Sequence, residues 1–214
     1  MLPKITFQYS RIYDLTLYHF STGKDKELND SLFLKREIFC LKKIKIIEEW
    51  WNDKGQNILK EIQKYTSLKW THKEITVYFL AEPHRKTWMG GFSNPITLFL
   101  KKIVDSNVSN QNMMFIKTAI IHELVHHNIP LRKIDGIIDD LQKEYNCDRV
   151  AATHVLINSI LDKIFSESEL QFNKEKDKIH KSYDLAWKIV TKKTSDKILS
   201  ELNAYLNNDK RALN

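Results

Sequence analysis

The segment from Asn112 to Ile129 constrains this chain more than any other. Its apolar residues (Met113, Met114, Phe115, Ile116, Ala119, Ile120, Ile121, Leu124 and Val125) lie almost all round a helix, the pattern of a helix buried on every side. Yet one turn of it carries His122, Glu123 and His126. Burying a polar group without a partner costs about 1–3 kcal/mol on protein scales, so three in one turn of a core helix need compensation. A divalent metal ion supplies it. Pro130 ends the helix, because proline has no N–H to donate and restricts the residue before it.

The spacing suits that ion. Residues one turn apart on a helix stand one above the other, so the imidazoles of His122 and His126 can reach one metal. Zinc takes imidazole nitrogen at about 2.0–2.1 Å in tetrahedral geometry, and a catalytic site keeps one position for water. Glu123, beside His122 but rotated around the helix, approaches that water without occupying the metal and reads as the general base. The alternative is a chance H-x-x-x-H on a helix surface, a pattern that non-enzymes share.

A third protein ligand is required. A metzincin would continue the motif to G-x-x-H, but Ile129 stands in place of the glycine and Arg132 in place of the histidine. Further on, Glu144 and Asp148 lie one turn apart on a stripe continued by Ala151 and Val155, and a single helix from Ile137 to Phe165 would carry them all. On that helix Glu144 completes the zinc shell, and Asp148 accepts the free ring N–H of His122 and fixes its tautomer. Asp140, on the same stripe, is a second candidate ligand. The alternative is that these carboxylates are solvated surface acids, as Asp139 and Asp140 are expected to be in a first helical turn.

The rest of the chain predicts a helix-rich α+β fold, its small and mostly antiparallel sheet packed on the zinc helix and the glutamate helix. Five glycines and four prolines are few for 214 residues, and sheet-rich folds spend those residues on turns. Ile5 to Phe20 alternates enough to suggest one or two strands turned by Gly23. Asn29 to Ser67 has helical spacing with a break at Asn52 to Gly55. Glu74 to Ala81 reads as an inner strand, and Pro95 to Leu100, after Gly90-Gly91, as a second. Glu167 to Asn207 is charged and helical. Residues 1–166 would form the catalytic domain and 167–214 a helical extension of it.

The formal charge of +7 and pI near 9.2 raise the question of nucleic acid. Lysines such as Lys42-Lys43-Ile44-Lys45 and Lys192-Lys193 are interleaved with acids in the manner of solvated helix faces, so no nucleic-acid partner is expected. Cys40 and Cys147 form no C-x-x-C pair, which excludes a thiolate zinc ribbon; Cys147 reads as a small core hydrophobe. No apolar run approaches the ~20 residues of a spanning helix and the first residues lack a signal-peptide layout, which together predict a cytoplasmic protein.

His122-Glu123-Leu124-Val125-His126 followed by Glu144-Tyr145-Asn146-Cys147-Asp148 resembles the gluzincin metallopeptidases, which pair H-E-x-x-H with a later E-x-x-x-D. The compact soluble minigluzincins are the nearest form, with weaker similarity to the ImmA/IrrE-type peptidases that act on repressors. The resemblance implies a zinc-dependent endopeptidase that hydrolyses peptides or unfolded protein through a metal-bound water activated by Glu123. It also implies a sheet edge at Pro95 to Leu100 for an extended substrate. A downstream His or Tyr would stabilise the oxyanion, for which His180, Tyr183 and His154 are candidates. The alternative is a catalytically latent zinc protein with a regulatory or binding role, including an ImmA/IrrE-like protease acting on a DNA-bound repressor.

Overall fold

The computed structural model describes residues 1–22, 30–81, 91–100 and 110–212. Among them the chain runs β1 (Lys4–Gln8), α1 (Arg11–Thr22), α2 (Asp30–Thr66), β2 (Glu74–Leu80), β3 (Gly91–Ser93), β4 (Ile96–Phe99) and α3 (Asn110–Asn128). A 3-10 turn at Leu131–Lys133 leads to α4 (Asp135–Tyr145), α5 (Arg149–Ile164), α6 (Glu167–Asp177), α7 (Lys181–Lys193) and α8 (Ser195–Ala212). The class is the helix-rich α+β expected. None of the described helices is long and apolar enough to cross a membrane. The chain divides into two compact units, Met1–Asn57 with His72–Glu123 and Ile58–Thr71 with Leu124–Asn214.

The first unit holds the sheet, in the order β1-β2-β4-β3. β1 pairs with β2 in parallel, Lys4 opposite Glu74, and β2 pairs with β4 in parallel, Val77 opposite Ile96. Only the short β3 runs antiparallel, to β4. The expected mostly antiparallel sheet is therefore corrected to a mainly parallel one. β1 and β2 are separated by two helices, and a crossover of that length returns the chain in the same direction. β4 is not the edge that the resemblance implied: β1 and β3 are the edges, and all four residues of β4 are buried.

The alternation from Ile5 to Phe20 is strand only as far as Gln8. Ser10 then starts α1, its hydroxyl accepting from the Tyr13 amide at 3.3 Å and its carbonyl from that of Asp14 at 2.9 Å. Gly23 and Gly90, expected at turns, lie outside the described residues. Asp14, buried in α1, accepts two hydrogen bonds at 2.9 Å from the Arg36 guanidinium and so ties α1 to α2.

No break interrupts α2 at Asn52 to Gly55. A side-chain methyl at Gly55 would fall 2.3 Å from Cε2 of Trp51, so the indole occupies the space that the missing Cβ leaves. That indole is buried and packs edge-on against Phe7 at 5.8 Å. Gly55 is a packing residue rather than a helix stop.

The second unit is built around α5, whose residues from Ala151 to Leu161 are all buried and against which α4, α7 and α8 pack. The single helix expected from Ile137 to Phe165 is two. α4 ends where Asn146 turns left-handed at φ 46°, the amides of Asn146 and Cys147 both reaching the Gln142 carbonyl. α5 restarts on Asp148, whose carboxylate accepts from the Ala151 amide at 2.7 Å. Residues from Glu167 onward are helical as expected, and form three helices. Buried Asp177 joins two of them by accepting from the Trp187 indole N–H at 2.9 Å.

Replacing a glycine inside a helix by alanine ordinarily stabilises it by about 1 kcal/mol. At Gly55 the sign should reverse. Gly55→Ala is expected to lower the free energy of unfolding in urea by about 1–2 kcal/mol, because displacing a packed indole costs more than the helix gains.

Candidate metal centre

α3 is as apolar and as buried as its sequence requires: every residue from Thr118 to Val125 is buried, His122 and Glu123 with only 8% and 9% of their surface exposed. The division between the two units falls inside α3 after Glu123, but the helix runs through unbroken. His122 therefore stands one turn before His126 by helix geometry alone.

The third member of the site comes from α5. One ligand atom each of His122, His126 and His154 lies within 4.8 Å of the other two, an arrangement that can hold a metal ion. Tetrahedral nitrogen ligands at about 2.0–2.1 Å sit about 3.4 Å apart, so small ring rotations close the set. The rings of His126 and His154 meet edge-on at 5.1 Å between centroids, inclined by 69°. Nδ1 of His154 lies 2.8 Å from the Val150 carbonyl oxygen. A carbonyl can only accept, so Nδ1 carries the proton and Nε2 offers the lone pair a metal needs.

The electrostatics agree with that donor set. Burial pushes the His126 imidazole down to about pKa 3, with the neighbouring His154 adding to the shift. His154 is also lowered by burial, the Val150 carbonyl working in the opposite direction. Both rings are neutral at ordinary pH, the form in which imidazole binds metals.

Glu144 and Asp148 are engaged elsewhere. Glu144 ends α4 as an exposed residue, its carboxylate 2.8 Å from Nζ of Lys193, which also holds Glu201 at 2.9 Å. The Lys193 ammonium keeps the Glu144 carboxyl below its usual range. Lys193 itself, expected on a solvated face, has a largely buried side chain that joins α4 to α7 and α8. Asp148 bonds Ala151 and, at 2.6 Å, the hydroxyl of Ser182, rather than a histidine ring. Ser182 first and the Ala151 amide second hold its carboxyl low. The break at Asn146 is the physical reason: with two helices the stripe that placed Glu144 and Asp148 on one face does not exist. Asp140 is exposed on α4.

The downstream candidates do gather at the site. Tyr183 stacks on His154 at 4.0 Å and 29°, and the exposed His180 lies 5.5 Å from Tyr183. Cys147 is a free, half-buried thiol raised in pKa by burial, its Sγ 3.8 Å from the Leu141 carbonyl. His154, weighed in the sequence only as an oxyanion residue, is the one the sequence underused. Like His122, it is an imidazole carried into the interior on a buried helix. No protein-family model, curated protein or solved structure matches the chain.

If the three imidazoles are the donors, His154→Ala should abolish stoichiometric zinc binding, whereas Glu144→Gln should retain it with affinity changed less than about threefold, since it disturbs only the ion pair of the half-exposed Glu144 with Lys193. A chelator-competition titration of both variants reads the difference. Loss of zinc in Glu144→Gln would return the glutamate to the metal.

Proposed function

We propose that this chain is a zinc-dependent endopeptidase acting on peptide or unfolded protein, with the metal on His122, His126 and His154. The observation that carries the reading is the convergence of three histidine ligand atoms within 4.8 Å, with Glu123 next to one of them and buried. Zinc on three neutral imidazoles would supply a Lewis acid and bring a water toward ionisation near neutral pH. The histidines hold and orient, and three rather than four protein donors leave a position for substrate or water. Glu123 accepts the proton of the attacking water and returns it to the departing amine. Tyr183, stacked on His154, and His180, next to Tyr183, are the groups to donate toward the oxyanion that forms on the scissile carbonyl.

The likeness of His122-Glu123-Leu124-Val125-His126 to the gluzincins supports the class, while a histidine as third donor departs from their glutamate. Two free thiols suit a reducing compartment, so we place the protein in the cytoplasm. A second reading, a latent zinc protein with a binding or regulatory role, draws on the same stack: Tyr183 belongs to the C-terminal helices and already lies on a ligand ring.

Glu123→Gln separates the two. It preserves size and most hydrogen bonding but removes the proton acceptor, so zinc should stay bound while casein or peptide hydrolysis falls about 100-fold or more. Zinc binding without turnover in wild type and variant alike would favour the latent protein. Undiminished cleavage by Glu123→Gln would show that hydrolysis does not run through this site.

A further inference from the structure

The stack of Tyr183 on His154 has an anchor of its own. Ser182, the residue before Tyr183, donates its hydroxyl to Oδ2 of Asp148 at 2.6 Å. Oδ1 of the same carboxylate accepts from the Ala151 amide at 2.7 Å and starts α5, the helix that carries His154. One carboxylate thus joins the first turn of α7 to the first turn of α5, with the stacked pair immediately beyond the joint. One turn beyond Tyr183 on α7, the Trp187 indole N–H is held by Asp177.

We infer that Ser182 is a positioning residue: bonded to Asp148, it seats the Tyr183 ring on His154 and so fixes the plane in which His154 presents Nε2. The Nδ1–H bond to the Val150 carbonyl restrains one edge of the imidazole, and the aromatic face restrains rotation about that bond. Without the seat, the third ligand samples ring orientations that a metal cannot use. Outer partners of this kind are worth about 10- to 100-fold in metal affinity. The inference rests on the three-histidine reading for its effect on zinc, but the seating is a property of the chain itself.

The test uses the full chain with ring-labelled histidine, in two arms. In the metal-free protein, the His154 ring protons should show the upfield ring-current shift of a stacked tyrosine. That shift should be kept in Tyr183→Phe and Ser182→Thr and lost in Tyr183→Ala and Ser182→Ala. In the zinc arm, Ser182→Ala and Tyr183→Ala should each weaken affinity about tenfold or more, and the double variant should be no weaker than Tyr183→Ala alone, since both changes undo one arrangement. Thermal midpoints of the metal-free variants separate this from general destabilisation. An unchanged His154 shift in Ser182→Ala, or additive losses of affinity, would overturn the inference. A wild-type chain that takes up no zinc would instead sink the peptidase reading, and the ring-shift arm would still decide the seating.

Discussion

The carboxylate of Asp148 closes the open amide end of α5, and the character of the site follows from where that helix begins. The first amides of any helix need acceptors, and a side chain that supplies one fixes the starting residue. With Asn146 left-handed and Asp148 as cap, α4 and α5 are separate rods. Glu144 is left at the exposed end of the first, within reach of Lys193. The second passes through the centre of its unit, buried from Ala151 to Leu161, and takes His154 inside with it.

Burial then decides the chemistry of the imidazoles. A charged ring is disfavoured where water is excluded, and at His126 the neighbouring His154 disfavours it further, so both imidazoles are held towards the neutral form. Neutral imidazoles are poor ion-pair partners and good metal ligands. Because the donor set adds no negative charge of its own, a bound dication would keep more of its polarising power than with a carboxylate in the shell.

Much of this was legible in the sequence, and the rest failed for identifiable reasons. The apolar surround of His122, Glu123 and His126 predicts a buried helix correctly, and Pro130 lies two residues past its observed end at Asn128. The helical segment from Glu167 onward and the strand at Glu74 also hold. Periodicity, however, cannot see a break that preserves phase: Tyr145-Asn146-Cys147-Asp148 continues the stripe on paper, and only the chemistry of its residues signals otherwise. Asparagine tolerates the left-handed turn and aspartate caps the next helix, a stop and restart written in two side chains. The reverse error occurs at Gly55, where a glycine that looks like a break is room for the Trp51 indole. Strand direction in the sheet depends on pairing between distant segments, which no local pattern records.

X-ray absorption at the zinc edge of the zinc-loaded protein tests whether three imidazoles and no carboxylate form the protein's share of the metal shell. One zinc per chain is expected, with three imidazole nitrogens at about 2.0–2.1 Å, visible through the multiple scattering of their rings. A spectrum of two imidazoles with a carboxylate oxygen, or a chain that retains no zinc at all, would contradict it.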